Sequence, residues 1–410
     1  MSRPGGRDWR TPTLVLFAGA VLLSLSLGIR HSFGLFLAPM SKSHGWTREV
    51  FAFAIALQNL VWGLAQPFAG RIADRYGAGK AVLGGSVLYV AGLVLMAQAQ
   101  TGTMLAASAG VLIGVGLSGT TISVVFGAIL RATPPARRSI AMGIAMSVGS
   151  LGQFVMLPGA LLFIESLGWA NTLLVLAGLG VIMAPLAAVL SEKPAAAVPG
   201  AHVMGLRAVL AEAFAVPGFW LLCFGFFVCG FHVAFIAIHL PAFLTDRGLG
   251  PSTGAAVLAL VGLFNVAGSY ASGVLGGRVS KPAVLVGIYS ARAVLLLLFV
   301  LFPVTEWSAY LFGATMGLLW LSTVAPTNGT VATLFGVENM ALLGGIVFLF
   351  HQIGAFLGGW LGGRLYVATG SYEVVWWMSI ALAVVAALLN LPIREVPVAR
   401  LRAAAEEGAR

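Results

Sequence analysis

Charge is what this 410-residue chain has least of: Asp, Glu, Lys and Arg make up 9% of it, against roughly a quarter in an ordinary soluble domain. That scarcity excludes a water-facing globular surface. Acidic residues are the scarcer sign, thirteen in all, each in a loop, a tail or at the end of an apolar run. No carboxylate is therefore expected at mid-membrane depth to balance a cation or carry a proton. Cysteine is nearly absent. Cys223 and Cys229 lie six apart in one apolar run, so a helix points them in different directions, which excludes a disulfide between them and a thiolate metal site. H-E-x-x-H, G-x-S-x-G and histidines at ligand spacing are missing too. The expectation is no enzyme chemistry, no metal and no cofactor.

What is present is apolar. Hydrophobic residues are 59% of the chain and mean hydropathy is +0.99. Apolar runs long enough to cross a ~30 Å hydrocarbon layer as helices recur from end to end. Twelve spans are expected, at 12–39, 46–70, 81–100, 103–130, 138–164, 169–191, 216–244, 252–277, 282–303, 306–334, 339–366 and 372–393. The first follows Arg3, Arg7 and Arg10 but is far longer than a signal-peptide core, so it reads as a retained span. With the first end inside, seventeen Lys and Arg residues fall in inside segments; only Lys42, Arg48 and Arg247 fall in outside loops. By the positive-inside rule both termini are cytoplasmic and the protein sits in the plasma (inner) membrane. The net charge of +10 is then a topology signal with some attraction to anionic headgroups, and no nucleic-acid partner is expected.

The chain resembles itself. Pro39 and Pro241, which end spans one and seven, are 202 apart, as are Gly127 and Gly329, Gly143 and Gly345, and Gly168 and Gly370; Asn59 and Asn265 pair at 206. The expectation is two halves, 1–191 and 214–410, joined by a linker at 192–213 that holds a short surface helix. Parallel repeats of this kind place a substrate site between the halves near the bilayer midplane.

After span two comes Gly70-Arg71-Ile72-Ala73-Asp74-Arg75-Tyr76-Gly77-Ala78-Gly79-Lys80. It is similar to the G-x-x-x-D-R-x-G-x-x-K signature of the major facilitator superfamily. That resemblance implies an all-α membrane protein with twelve transmembrane helices in two pseudo-symmetric six-helix bundles. It also implies that Gly70, Asp74, Arg75, Gly77 and Lys80 gate the cytoplasmic ends of the halves. The second-half loop, Gly276 to Lys281, keeps only a remnant. His31-Ser32-Phe33-Gly34-Leu35-Phe36 resembles the end of helix one in monocarboxylate transporters and oxalate:formate antiporters. Ser269 stands where those families usually carry a carboxylate-binding arginine, and Asn265 aligns with the aspartate of the animal members. His351 falls where the antiporters carry a lysine.

Mid-span polar residues are few. An arginine at mid-span costs about 2.5–3.5 kcal/mol on insertion scales, so it faces a cavity or a partner. Arg30, paired by the repeat with His232, has no carboxylate at its depth, and a bound organic anion would complete the pair. The substrate-binding candidates are Arg30, His31, His232, His351, Gln352, Asn59, Asn265 and Arg292. Arg30 and His31 are ~100° apart on a helix, so only one faces the cavity squarely; the repeat favours Arg30 and the family alignment His31. Asn59 and Asn265 also suit interhelical bonding, and Arg292 a structural role. The expected activity is alternating-access transport of a small organic anion, a monocarboxylate first, with a proton carried by His31, His232 or His351. Anion exchange and drug or metabolite export are the alternatives, and a non-transporting receptor is the other class. The partners expected are the substrate, protons or a counter-anion, and the lipid bilayer, with the chain a monomer.

Overall fold

A computed structural model describes residues 10–46, 48–191 and 205–408. The described residues form helices and their connections, with eleven helices apolar enough over at least 18 residues to cross a membrane. A further long helix, Arg48–Tyr76, carries Gln58, Asn59 and Gln66. In lipid every backbone group must be bonded internally, which makes the helix the only local solution for these runs.

In the first half, span one is Pro12–His31, a 3-10 turn Ser32–Phe36 and a short helix Leu37–His44. Span two is Arg48–Tyr76, span three Ala78–Ala97, span five Arg138–Leu167, and span six Trp169–Val181 with Met183–Leu190. In the second half, span seven is Pro217–Asp246, span eight Pro251–Gly276, span nine Lys281–Leu301, span eleven Met340–Thr369 and span twelve Glu373–Asn390. Helix Leu206–Phe214 precedes span seven and helix Ala399–Gly408 follows span twelve. The expected linker residues 192–204 lie outside the described residues, as do Arg3, Arg7, Lys193 and Arg410 of the charge pattern.

One expectation is corrected, and two of the expected spans are interrupted. Pro241 does not end span seven, which continues to Asp246. Span four is not one rod: Gly102–Leu105 leads into a π-helical stretch, Ala106–Leu112, then Ile113–Thr120, an extended Thr121 (φ −123°, ψ −164°) and Ile122–Ala132. Span ten is likewise divided into Glu306–Leu319 and Val324–Phe335. A broken helix inside a membrane frees carbonyls that other groups must meet. In span four Gln58 Nε2 donates to Ala109 O (2.7 Å) and Gln66 Nε2 to Ser118 O (2.8 Å). In span ten Arg292 Nη2 donates to Leu319 O and Trp320 O, both at 2.6 Å.

These breaks obey the repeat, because Thr121 and Thr323 are 202 apart. Other pairs recur at this or a neighbouring offset, Tyr89 and Tyr289 at 200. Tyr89 OH donates to Ser26 O (2.9 Å) and Tyr289 OH to Gly225 O (2.7 Å), each tying the third span of its half to the first. Gly168 and Gly370 follow spans five and eleven with φ of 81° and 70°. Gly143 packs on Gly273 of span eight, and Gly345 on Gln66 and Pro67 of span two. Tyr89→Phe and Tyr289→Phe should each cost about 0.5–1.5 kcal/mol, a net hydrogen bond, read as a similar small fall in the thermal midpoint of detergent-purified protein.

The halves meet along two seams. Spans two and eleven touch from Asn59 and Gln352 at mid-depth to Asp74 and Leu342 at the terminus-bearing face. Spans five and eight touch from Ser150 and Asn265 to Gly143 and Gly273. Among the described residues, hydrogen bonds between the halves are confined to this depth range, so the sealed side is the terminus-bearing one.

Candidate functional site

Arg30 lies on the last turn of span one, half-buried, and turns toward span two. Its Nη2 donates to Asn59 Oδ1, and its guanidinium lies 5.0 Å over the Trp62 ring. Nε is buried without a partner, and no carboxylate of the described residues is within ion-pair distance. Asn59 and Trp62 are one turn apart, which gives the cation an amide and an aromatic face from one helix. Trp62 is fixed in turn: its Nε1 donates to Gln66 Oε1 (2.9 Å) and Thr121 Oγ1 (3.0 Å). His31 is exposed, and its Nδ1 meets Leu27 O at 3.1 Å, one turn back on its own helix. Of the two neighbours, Arg30 is the one engaged with span two.

From Asn59 the contacts cross to the second half. Gln352 Nε2 donates to Asn59 O (3.2 Å), and His351 Nδ1 lies 3.1 Å from Gln352 Oε1. An aromatic stack runs beside this chain: Trp62 on Phe348 (4.8 Å between centroids), Phe348 parallel to His351 (5.4 Å, 9°), and His351 against Phe226 (4.7 Å). Arg30, Asn59, Gln352 and His351 thus form one connected group across the interface.

The other candidates lie elsewhere. His232 was expected at the depth of Arg30, as a substrate-binding candidate. It is 1% exposed and turned to span twelve, Nε2 donating to Ser379 O (2.8 Å). A buried neutral imidazole needs such an acceptor, and a main-chain carbonyl supplies it. Asn265 donates to Ser150 Oγ (2.8 Å) and accepts from Ser269 Oγ and Leu321 N, which occupies its amide with helix-to-helix bonds. Arg292 is 0% exposed, its Nη2 held by the carbonyls at the span-ten break and facing Cys229 Sγ at 3.6 Å. The C-terminal end of a half-helix presents partial negative charge, which balances part of the guanidinium's.

At the terminus-bearing face the signature loop divides. Asp74, with 2% of its side chain exposed, pairs with Arg131 of span four (3.0 Å) and accepts from Leu342 N (2.8 Å) and Ala341 N (3.3 Å) at the start of span eleven. Anions are favoured at a helix N-terminus, so one carboxylate ties spans two, four and eleven together. Gly70 packs its Cα against the Ala341 carbonyl with no room for a β-carbon. Gly77, at φ 96°, opens span three. Arg75 and Lys80 are not the partners of Asp74; both are exposed and flank the Tyr76 ring, at 5.5 and 5.8 Å. Nearby, a cavity of about 490 Å³ lies between the halves, lined by Arg138, Ser139, Lys281, Glu338 and Leu401 among others.

Trp62, Phe348 and Cys229 were not among the sequence candidates. The turn spacing of Trp62 from Asn59 was a usable signal. Nothing in one sequence pairs Phe348 with Trp62 or Cys229 with Arg292, because those contacts join separate helices.

Residues 16–342 match the family model described as the Major Facilitator Superfamily. Over 382 residues the chain is 27% identical to monocarboxylate transporter 13 of Bos taurus, covering 90% of this chain and 85% of that one. It is 24% identical over 387 residues to an uncharacterized MFS-type transporter, YcxA, of Bacillus subtilis, covering 90% of each. The crystal structure of the transporter FucP in its outward conformation superposes with a TM-score of 0.73 at 14% identity, over 92% of this chain and 97% of that one. A model match over most of the length, a shared fold and the signature loop at the seam agree: the chain belongs to the Major Facilitator Superfamily.

Proposed function

We propose that this superfamily transporter moves a small organic monoanion, a monocarboxylate, by alternating access between the halves, with one proton carried alongside. One observation carries the reading. Arg30 is an arginine at substrate depth with an unpartnered Nε, an amide and an aromatic face around it, and no carboxylate of the described residues to neutralise it. A guanidinium left so is costly until an anion completes it, and its planar fork matches a carboxylate. One such cation suits one negative charge, because Arg292 is already engaged with the carbonyls of span ten. The monocarboxylate names of relatives over 90% of the chain support the same class.

The two halves are read as residues 1–191 and 214–410, with the termini cytoplasmic, so the sealed terminus-bearing seam makes this the outward-facing arrangement. Gly70 and Asp74 act as its inner gate, while Arg75 and Lys80 serve membrane topology. Asn59, His351 and Gln352 connect the anion site to the second half. Asn265 and His232 brace helices, and His31 stands outside the anion contact.

Purified protein reconstituted in proteoliposomes and offered a panel of labelled solutes tests the reading. Monocarboxylates should enter and compete with one another, faster with acid outside, while dicarboxylates and neutral analogues of the same size should not. Preferential uptake of neutral or cationic solutes would overturn it. Uptake that needs an internal anion and ignores the pH gradient would make the carrier an exchanger.

A further inference from the structure

The break in span four lies between the anion site and the inner gate. Ser26, one turn from Arg30 on span one toward the termini, has its Oγ 2.8 Å from Thr120 Oγ1, and Tyr89 OH holds the Ser26 carbonyl. Beside Thr120, Thr121 is extended and 0% exposed. Its hydroxyl donates to Leu117 O, one turn back, which leaves the oxygen to accept. What it accepts is the indole N–H of Trp62, at 3.0 Å, shared with Gln66 Oε1 at 2.9 Å. The same indole lies under the Arg30 guanidinium.

Span two grips span four at three successive turns. Gln58, Trp62 and Gln66 donate to Ala109 O, Thr121 Oγ1 and Ser118 O. The two amides meet carbonyls ahead of the break; of the three, Trp62 alone reaches the residue at the break, and it alone lies under Arg30. Phe264 and Gly268, at offsets of 202 and 206 from Trp62, have no side-chain N–H, and the break of span ten is held from span nine instead. Beyond Thr121 the half-helix Ile122–Ala132 runs about 16 Å at 1.5 Å per residue. It ends at the inner gate. Arg131, in its last turn, pairs with Asp74 (3.0 Å) and donates to Val337 O of the second half (3.3 Å). Gly127 packs on the start of span eleven, where an added β-carbon would lie 3.3 Å from that of Ala341. An extended residue between two rigid pieces is where a hinge motion is absorbed.

We infer that Trp62 is a positioning residue that couples occupancy of the anion site to the inner gate, with Thr121 as the hinge it holds and Ile122–Ala132 as the lever. While the site is empty, the cation keeps the indole in place and the indole keeps Thr121, so Arg131 stays on Asp74 and Val337 O. A bound carboxylate draws the guanidinium to itself. The ring loses its cation, its hold on Thr121 is released, and the half-helix turns until Arg131 leaves the second half. An anion shifts such an equilibrium only as far as it binds the two arrangements differently. Competition between the carboxylate and the ring for one guanidinium is that difference.

The inference rests on the anion reading above, and its test has one arm without ligand. Thr121→Val removes the hydroxyl at nearly constant size, and Thr121→Ser keeps it. In full-length, detergent-purified protein without ligand, hydrogen exchange at the Ala341 and Leu342 amides, which Asp74 holds, should quicken about two- to tenfold in Thr121→Val. It should stay at the unmodified rate in Thr121→Ser, and the amides of spans three and nine should not change in either. Trp62→Phe, which keeps a ring and loses the N–H, should match Thr121→Val. Saturating carboxylate, taken from the panel, should quicken the same two amides in the unmodified protein and in Thr121→Ser, and add nothing in Thr121→Val or Trp62→Phe. Unmoved exchange at 341 and 342 in Thr121→Val overturns the inference whatever the ligand, as does a rise that extends to spans three and nine, which would make the hydroxyl structural. A carboxylate that stabilises the unmodified protein thermally yet leaves those two amides at their resting rate overturns it and leaves the anion reading standing. If no carboxylate binds, the anion reading falls, and the ligand-free arm alone decides whether Trp62 holds the gate.

Discussion

Arg30→Ala should weaken binding of the carried monocarboxylate about ten- to a hundredfold. A hydrogen bond to a charged group contributes about 1.5–3 kcal/mol, and each 1.36 kcal/mol is a factor of ten. Arg30→Lys should lose a substantial part of that, because an ammonium keeps the charge but lacks the fork and the stacking on Trp62. Both variants should fold. Truncation at this half-buried position leaves no unpaired charge behind, and Asn59 keeps its bond to Ile55 O. Ligand-induced thermal stabilisation of purified variants measures the loss directly. Equal affinity in Arg30→Ala would remove Arg30 from the anion site, whatever the transport rate.

Gly70→Leu should unseal the terminus-bearing seam and nearly abolish transport. Any β-carbon at this position collides with the Ala341 carbonyl, which is backbone and cannot turn aside. Span eleven must move away, and the Asp74 bonds to Ala341 N and Leu342 N go with it. Each is a hydrogen bond to a charged group, about 1.5–3 kcal/mol. Hydrogen exchange at those two amides should therefore quicken about ten- to a hundredfold, while the amides of spans three and nine keep their rates. Unchanged exchange at 341 and 342 would mean that the seam does not depend on Gly70.

The same two sites show where sequence reasoning reaches and where it stops. The G-x-x-x-D-R-x-G-x-x-K loop was legible, and Asp74 and Gly70 are at the seam. The cation that pairs with Asp74 was not, since Arg131 is 57 residues away; the nearer Arg75 and Lys80 lie against Tyr76 instead. Arg30 was legible as an arginine without a counter-ion. That it meets Asn59 and Trp62, while His31 bonds its own helix, depends on how span one is rotated against span two. Such a rotation is set by side chains on both helices at once. Likewise His232 and His351 look alike in sequence, yet one bonds Ser379 O on span twelve and the other meets Gln352 at the interface between the halves.

Composition and periodicity alone determined that this chain crosses a membrane repeatedly, that residues of its two halves recur at an offset of 202, and that the ionisable groups within its apolar runs are basic. These follow from the cost of exposing backbone and charge to hydrocarbon, a cost paid residue by residue and so written locally. Only the tertiary structure decided which helix each polar group faces, that spans four and ten break at repeat-related threonines, and that Arg292 and Cys229 share a buried site. Those outcomes depend on partners from distant spans, because a freed carbonyl or a buried cation is settled by whichever donor or acceptor packing brings within reach.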